Sequence, residues 1–104
     1  MIRLQVIDAA DQQFGAIFNR RRVTIRLRYN VTIDRWSFDL SIDDLPVLYG
    51  RRIVTGIDLL ANFNFGIGQL FAWPMVDGAE PNRENLPNGN VRLYQVNDAE
   101  VEAA

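Results

Sequence analysis

The chain has 104 residues, 48% of them apolar and 23% charged, with a net charge of −2. It contains no cysteine, no histidine and no lysine, so all 11 basic residues are arginine. That inventory removes disulfides, thiolate metal sites, imidazole acid–base chemistry and Schiff bases, and predicts a non-enzymatic protein without cofactor or metal.

The length allows one domain, able to bury about 65% of its unfolded surface. No apolar run approaches the roughly 20 residues of a membrane span; the longest, Leu70 to Val76, is broken by Pro74. The first residues form no apolar segment of signal-peptide length, so synthesis and folding in a cytosol are expected. Charge is unevenly placed. Residues 1–52 hold nine Arg against six Asp, net +3, while residues 53–104 hold two Arg against seven acidic groups, net −5. Such polarity either favours head-to-tail contacts or reflects two differently solvated faces.

Ile2, Leu4 and Val6 alternate with polar residues and predict a short first strand, followed by a turn at 8–12. Phe14, Ala16 and Phe18 alternate again, and Asn19 to Arg21 turn into the most regular stretch of the chain. There, Val23, Ile25, Leu27 and Tyr29, then Trp36, Phe38, Leu40 and Ile42, stand at every second position on either side of residues 31–34. This is a β-hairpin with one buried face. Opposite residues of an antiparallel pair share a face, so Val23, Ile25, Leu27 and Tyr29 must oppose Ile42, Leu40, Phe38 and Trp36. The same register sets Arg26 against Asp39 and Arg22 against Asp43. Pro46 is expected to end the hairpin, leaving a short strand at 47–50. Residues 53–55 read as strand, and residues 57–63 as a helical turn or extended chain. A strand at 69–73, a long polar loop at 77–90 and a last strand at 91–96 follow. The fold class expected is all-β: a small sandwich or partly open barrel of about six to seven antiparallel strands, residues 1–97, with a frayed acidic tail at 98–104.

Arg20, Arg21, Arg22, Arg26 and Arg28 form the densest basic cluster, the alternative being a single-stranded nucleic-acid face. The inferred register speaks for cross-strand pairing instead, and Tyr29 and Trp36 fall on the core side. Asp43 and Asp44 point to a turn rather than a metal or acid–base pair; with Asp58 they would be the residues of a carboxylate-based hydrolase. Gly50, Gly56, Gly66 and Gly68 fit no phosphate-loop spacing and read as backbone geometry. Phe63, Phe65, Phe71 and Trp73 exceed what so small a core absorbs, and a surplus of rings with Arg in place of Lys is interface chemistry.

The chain also resembles a known family, the small baseplate plug proteins of contractile-tailed bacteriophages. The likeness spans residues 14–96. It runs through the arginine-bearing strand 23–30, Arg35-Trp36-Ser37-Phe38-Asp39-Leu40, Pro46-Val47-Leu48-Tyr49-Gly50 and Val54-Thr55-Gly56-Ile57-Asp58-Leu59-Leu60. A polar loop with Asn85-Leu86 and Gly89 then leads into Val91-Arg92-Leu93-Tyr94. Near Leu86 the family tends to glycine where this chain has Pro87; residues 1–13 and the tail lie outside the likeness. The resemblance implies a virion structural subunit, made in the host cytoplasm and built into the inner baseplate or hub. Its implied partners are other baseplate and hub proteins, the tail tube and the spike, with the chain as a homo-oligomer or in several copies per assembly and no small-molecule substrate. The interface candidates are then Phe63, Phe65, Phe71 and Trp73, with Asn82, Arg83 and Asn85 of the polar loop.

Overall fold

The computed structural model describes residues 2–61, 63 and 65–97; the expected tail at 98–104 lies outside them. Strands β1 (Ile2–Leu4), β2 (Asp11–Phe18), β3 (Arg21–Asn30), β4 (Arg35–Ile42), β5 (Leu45–Arg52), β6 (Gln69–Pro74) and β7 (Val91–Val96) are joined by one helical turn, α1 (Asn85–Asn88). Among the described residues they form two antiparallel sheets, ordered β2-β3-β4-β5 and β1-β7-β6, and no closed barrel. Of the two all-β architectures expected, the chain takes the two-sheet one.

The β3–β4 hairpin has the register that its alternation demands. Val23 opposes Ile42, Ile25 opposes Leu40, Leu27 opposes Phe38, and Tyr29 opposes Trp36. The inward set joins Leu4, Leu70, Ala72, Val91 and Leu93 of the other sheet in one core, where a one-residue slip would expose every member. Trp36 is wholly buried. Its indole N–H still donates to the Asn82 carbonyl at 2.9 Å, satisfying the polar end of a buried ring.

Two hairpins close through two-residue turns with positive φ at both positions: Asn19 and Arg20 (52° and 65°), and Asp43 and Asp44 (52° and 67°). Those are the dihedrals that twisted strands require of so short a connection. Asp43 and Asp44 thus serve as turn residues.

Four local expectations are corrected. Pro46 does not end the hairpin but pairs with Ser41 inside β5, which runs on to Arg52; β5 is an edge strand, where a missing N–H is tolerated. Residues 53–55 form no strand, and only Thr55 bridges to Ala72. Residues 59–61 are a hydrogen-bonded turn, not a helix, with Ile57 exposed and Leu59 and Leu60 buried. The polar loop is not all loop. Asn82 Oδ1 accepts from the backbone N–H groups of Glu84 and Asn85, Leu86 is buried, and Gly89 at φ 89° ends α1, as left-handed glycines commonly do.

Candidate assembly surface

Arg22, Arg26 and Arg28 lie on the outer face of the four-stranded sheet, with Arg21 and Arg20 at the start of β3 and in the turn before it. Four of the five charges are answered from within the fold. Arg26 pairs with Asp11 at 2.7 Å and Arg28 with Asp39 at 2.5 Å. Arg21 pairs with Asp43 at 3.2 Å and Arg22 with Asp44 at 2.5 Å. Arg26 opposes Asp39 along the backbone as the register requires, yet its guanidinium reaches across to β2, and Asp39 goes to the diagonal Arg28. Arg22 likewise passes over Asp43 for Asp44. The long side chains choose diagonal neighbours, well within reach on a twisted sheet. Only Arg20 of the five has no acidic partner among the described residues.

Asp39 is the most enclosed of these carboxylates. Burial pushes its pKa up, but the Arg28 hydrogen bond, the Gly50 N–H and two guanidinium charges outweigh it, and the group lies below the usual value of 3.8. The Arg26 hydrogen bond lowers Asp11 in the same way. At the hairpin tip the Tyr29 hydroxyl donates to Asp34 Oδ1 at 2.5 Å. That bond raises the tyrosine and lowers the carboxyl.

Asp58 Oδ1 accepts from the N–H groups of Leu60 and Leu70, both at 3.0 Å. It ties the 58–61 turn to β6. Among the described residues no group of three or more acidic side chains is placed to hold a metal ion.

The seven interface candidates separate into three places. Phe71 and Trp73 lie on the outer face of the three-stranded sheet, because Leu70 and Ala72 turn inward. With Met75, Tyr94 and Val96 they line an apolar groove of about 350 Å³. Trp73 is 51% exposed there. Phe63 and Phe65 stack on each other at 5.2 Å, with the Arg51 guanidinium over Phe63 at 5.3 Å. The Phe65 carbonyl accepts from Arg21.

Asn82, Arg83 and Asn85 hold the 80–90 segment to the fold. Asn85 Nδ2 donates to the Glu80 carbonyl. Arg83 Nη1 meets Asp8 at 2.7 Å, with its guanidinium 5.8 Å from the centre of the Trp36 ring.

Sequence reasoning missed Met75, Tyr94 and Val96 as groove walls. The signal was present: once Leu93 and Gln95 face inward, Tyr94 and Val96 must share the outer face with Phe71 and Trp73.

Fold and surface together define a small two-sheet β domain with paired arginines on one face and a ring-lined groove on the other. A family model, cyanophage baseplate Pam3 plug gp18, matches residues 1–98, and the chain belongs to that family. The match takes in the first 13 residues, which the resemblance read from the sequence had left out. The protein is a bacteriophage virion component of the tail baseplate. Among curated proteins no relative matches the chain.

Proposed function

We infer that the protein works by contact rather than catalysis, as a multi-copy subunit of the inner baseplate that packs against hub, tail tube and spike proteins. The groove of Phe71, Trp73, Met75, Tyr94 and Val96 carries this reading. Apolar side chains gathered on an outer sheet face mark a contact surface, and membership of a baseplate plug family supports reading it as one. Phe63 and Phe65 offer a second apolar contact. Asn82, Arg83 and Asn85 hold the 80–90 segment in one shape, a separate surface ready to be met by a neighbour. Nucleic-acid binding is the poorer reading, because four of the five cluster arginines already hold acidic partners.

Co-expression with the other baseplate proteins, followed by size-exclusion chromatography with light scattering, tests it. The expected result is co-elution in a defined assembly. Trp73→Ser with Met75→Ser should weaken it, the loss of a central aromatic contact being worth about 2 kcal/mol, roughly 30-fold in affinity. The thermal melt of the isolated variant should not move, since both side chains are about half exposed. A chain that ignores every neighbour, or binds them unchanged after those substitutions, would overturn the assignment.

A further inference from the structure

Each sheet ends in two edge strands, and three of the four edges are blunted. β1 is only three residues long. The open side of β6 is covered by residues 55–59, whose Gly56 and Leu59 N–H groups donate to the Ala72 and Leu70 carbonyls at 3.0 and 2.8 Å. β5 carries Pro46, breaks register at two places against β4, and ends in exposed Arg51 and Arg52. Pro, irregularity and charge are the ordinary protections of an edge.

β2 has none of these over most of its length. From Gln12 to Phe18 it holds neither proline nor charge, and it pairs with β3 without a register break across all eight residues. The Tyr29 N–H donates to the Ala10 carbonyl at 2.8 Å, which fixes the phase of the ladder. Even-numbered residues of β2 bond to β3, and the backbone groups of Asp11, Gln13, Gly15 and Ile17 point away from the sheet. Among the described residues no backbone hydrogen bond reaches them.

Two further features mark this edge. Phe14 and Ala16 face the core but are only partly covered, so the core is unfinished along β2. Gly15 is the one glycine of seven without a positive φ. A Cβ there would meet nothing nearer than the Val23 carbonyl at 3.8 Å. Nothing within the fold requires glycine at 15, and a glycine inside a strand often marks close approach of another backbone.

We propose that β2 is a pairing edge and that its occupant is β2 of a second copy. The two strands run antiparallel about a two-fold axis at Gly15 and join two four-stranded sheets into one of eight. The strand is complementary to itself in that register. Gly15 meets Gly15, leaving the outer face clear at the axis. On the inner face Phe14 opposes Ala16 of the other copy, a large side chain against a small one, twice by symmetry. Gln13 and Ile17 face each other on the outside. The donors and acceptors of residues 13, 15 and 17 are satisfied in the one contact, an isologous arrangement. The contact concerns only copies of this chain, so its failure would leave the baseplate assignment standing.

Light scattering across a dilution series, with amide hydrogen exchange read by NMR, tests it on the full chain. The expected result is twice the 11.9 kDa chain mass, with the Gln13, Gly15 and Ile17 amides protected. Gln13→Lys with Ile17→Lys sets like charges opposite one another and should halve the mass, circular dichroism confirming the fold. Gln13→Glu with Ile17→Lys sets opposite charges face to face and should keep the doubled mass. A single-chain mass throughout would overturn the proposal. A doubled mass that survives the double-lysine variant, with those amides exchanging freely, would overturn it by moving the contact to another face. Protection that appears only when a different baseplate protein is added would overturn it too, assigning the edge to a donated strand.

Discussion

Arg20 occupies the second position of the β2–β3 turn at φ 65°, a conformation that costs a residue with a Cβ about 1 kcal/mol. Asn followed by Gly is the pair this turn prefers. Arg20→Gly is therefore expected to stabilise the protein by about 0.5–1 kcal/mol, seen as a higher urea midpoint with unchanged slope. Gly68 is the opposite case. A Cβ there would lie 2.3 Å from the Val96 carbonyl, at a φ of 83°. Gly68→Ala should cost at least about 3 kcal/mol by prying β6 from β7, and a thermal melt would show it. For Asp39, Asp11 and Asp34 the sign of the pH dependence follows from their lowered pKa values. The folded state keeps these carboxylates ionised where the unfolded chain already takes up protons. Their stabilisation is thus complete above the ordinary value of 3.8 and is lost as pH falls through and below it. Asp39→Asn should lower stability near neutral pH by about 1–2 kcal/mol and flatten the acid limb of a stability–pH curve.

The β3–β4 hairpin is the element whose every contact obeys its own sequence, because period two with one buried face admits a single register. Ion pairs are looser. An arginine reaches several acidic partners at similar cost, and which it takes depends on strand twist and on β2, which the hairpin's own sequence does not contain. The 77–90 segment shows how a few buried contacts organise polar chain. Leu86 in the core, the Asn82 carbonyl under Trp36 and the Asn82 side chain over α1 hold it down. Leu86→Ala should destabilise the protein by about 2–4 kcal/mol and speed exchange of the 82–90 amides before those of β3 and β4, measurable by hydrogen exchange with mass spectrometry.

Across the whole molecule the two sheets divide the work. The four-stranded sheet spends its outer face on ion pairs, most of them exposed and each worth little, so that face is neutralised rather than sticky. The three-stranded sheet turns rings outward. The charge split seen along the sequence, +3 then −5, is partly undone in space, since Arg35 reaches Glu80 and Asp8 reaches Arg83 across the two halves. Salt should therefore affect assembly weakly where the apolar groove dominates. Co-elution with baseplate partners is expected to persist in high salt and to weaken in Trp73→Ser with Met75→Ser.

Alternation alone determined the hairpin, its register, its four-residue loop and the all-β class, because side chains on a strand have only two directions. Residue inventory alone removed thiol, imidazole and lysine-amine chemistry, and the order of motifs across residues 14–96 pointed to the family. The tertiary structure decided which surplus aromatics stay outside. That depends on which parity of β6 and β7 faces the shared core, and Leu70, Ala72, Leu93 and Gln95 took those places. It also decided which edges are open, since an edge is defined by the neighbour a strand lacks, and strand order is not written in any one strand.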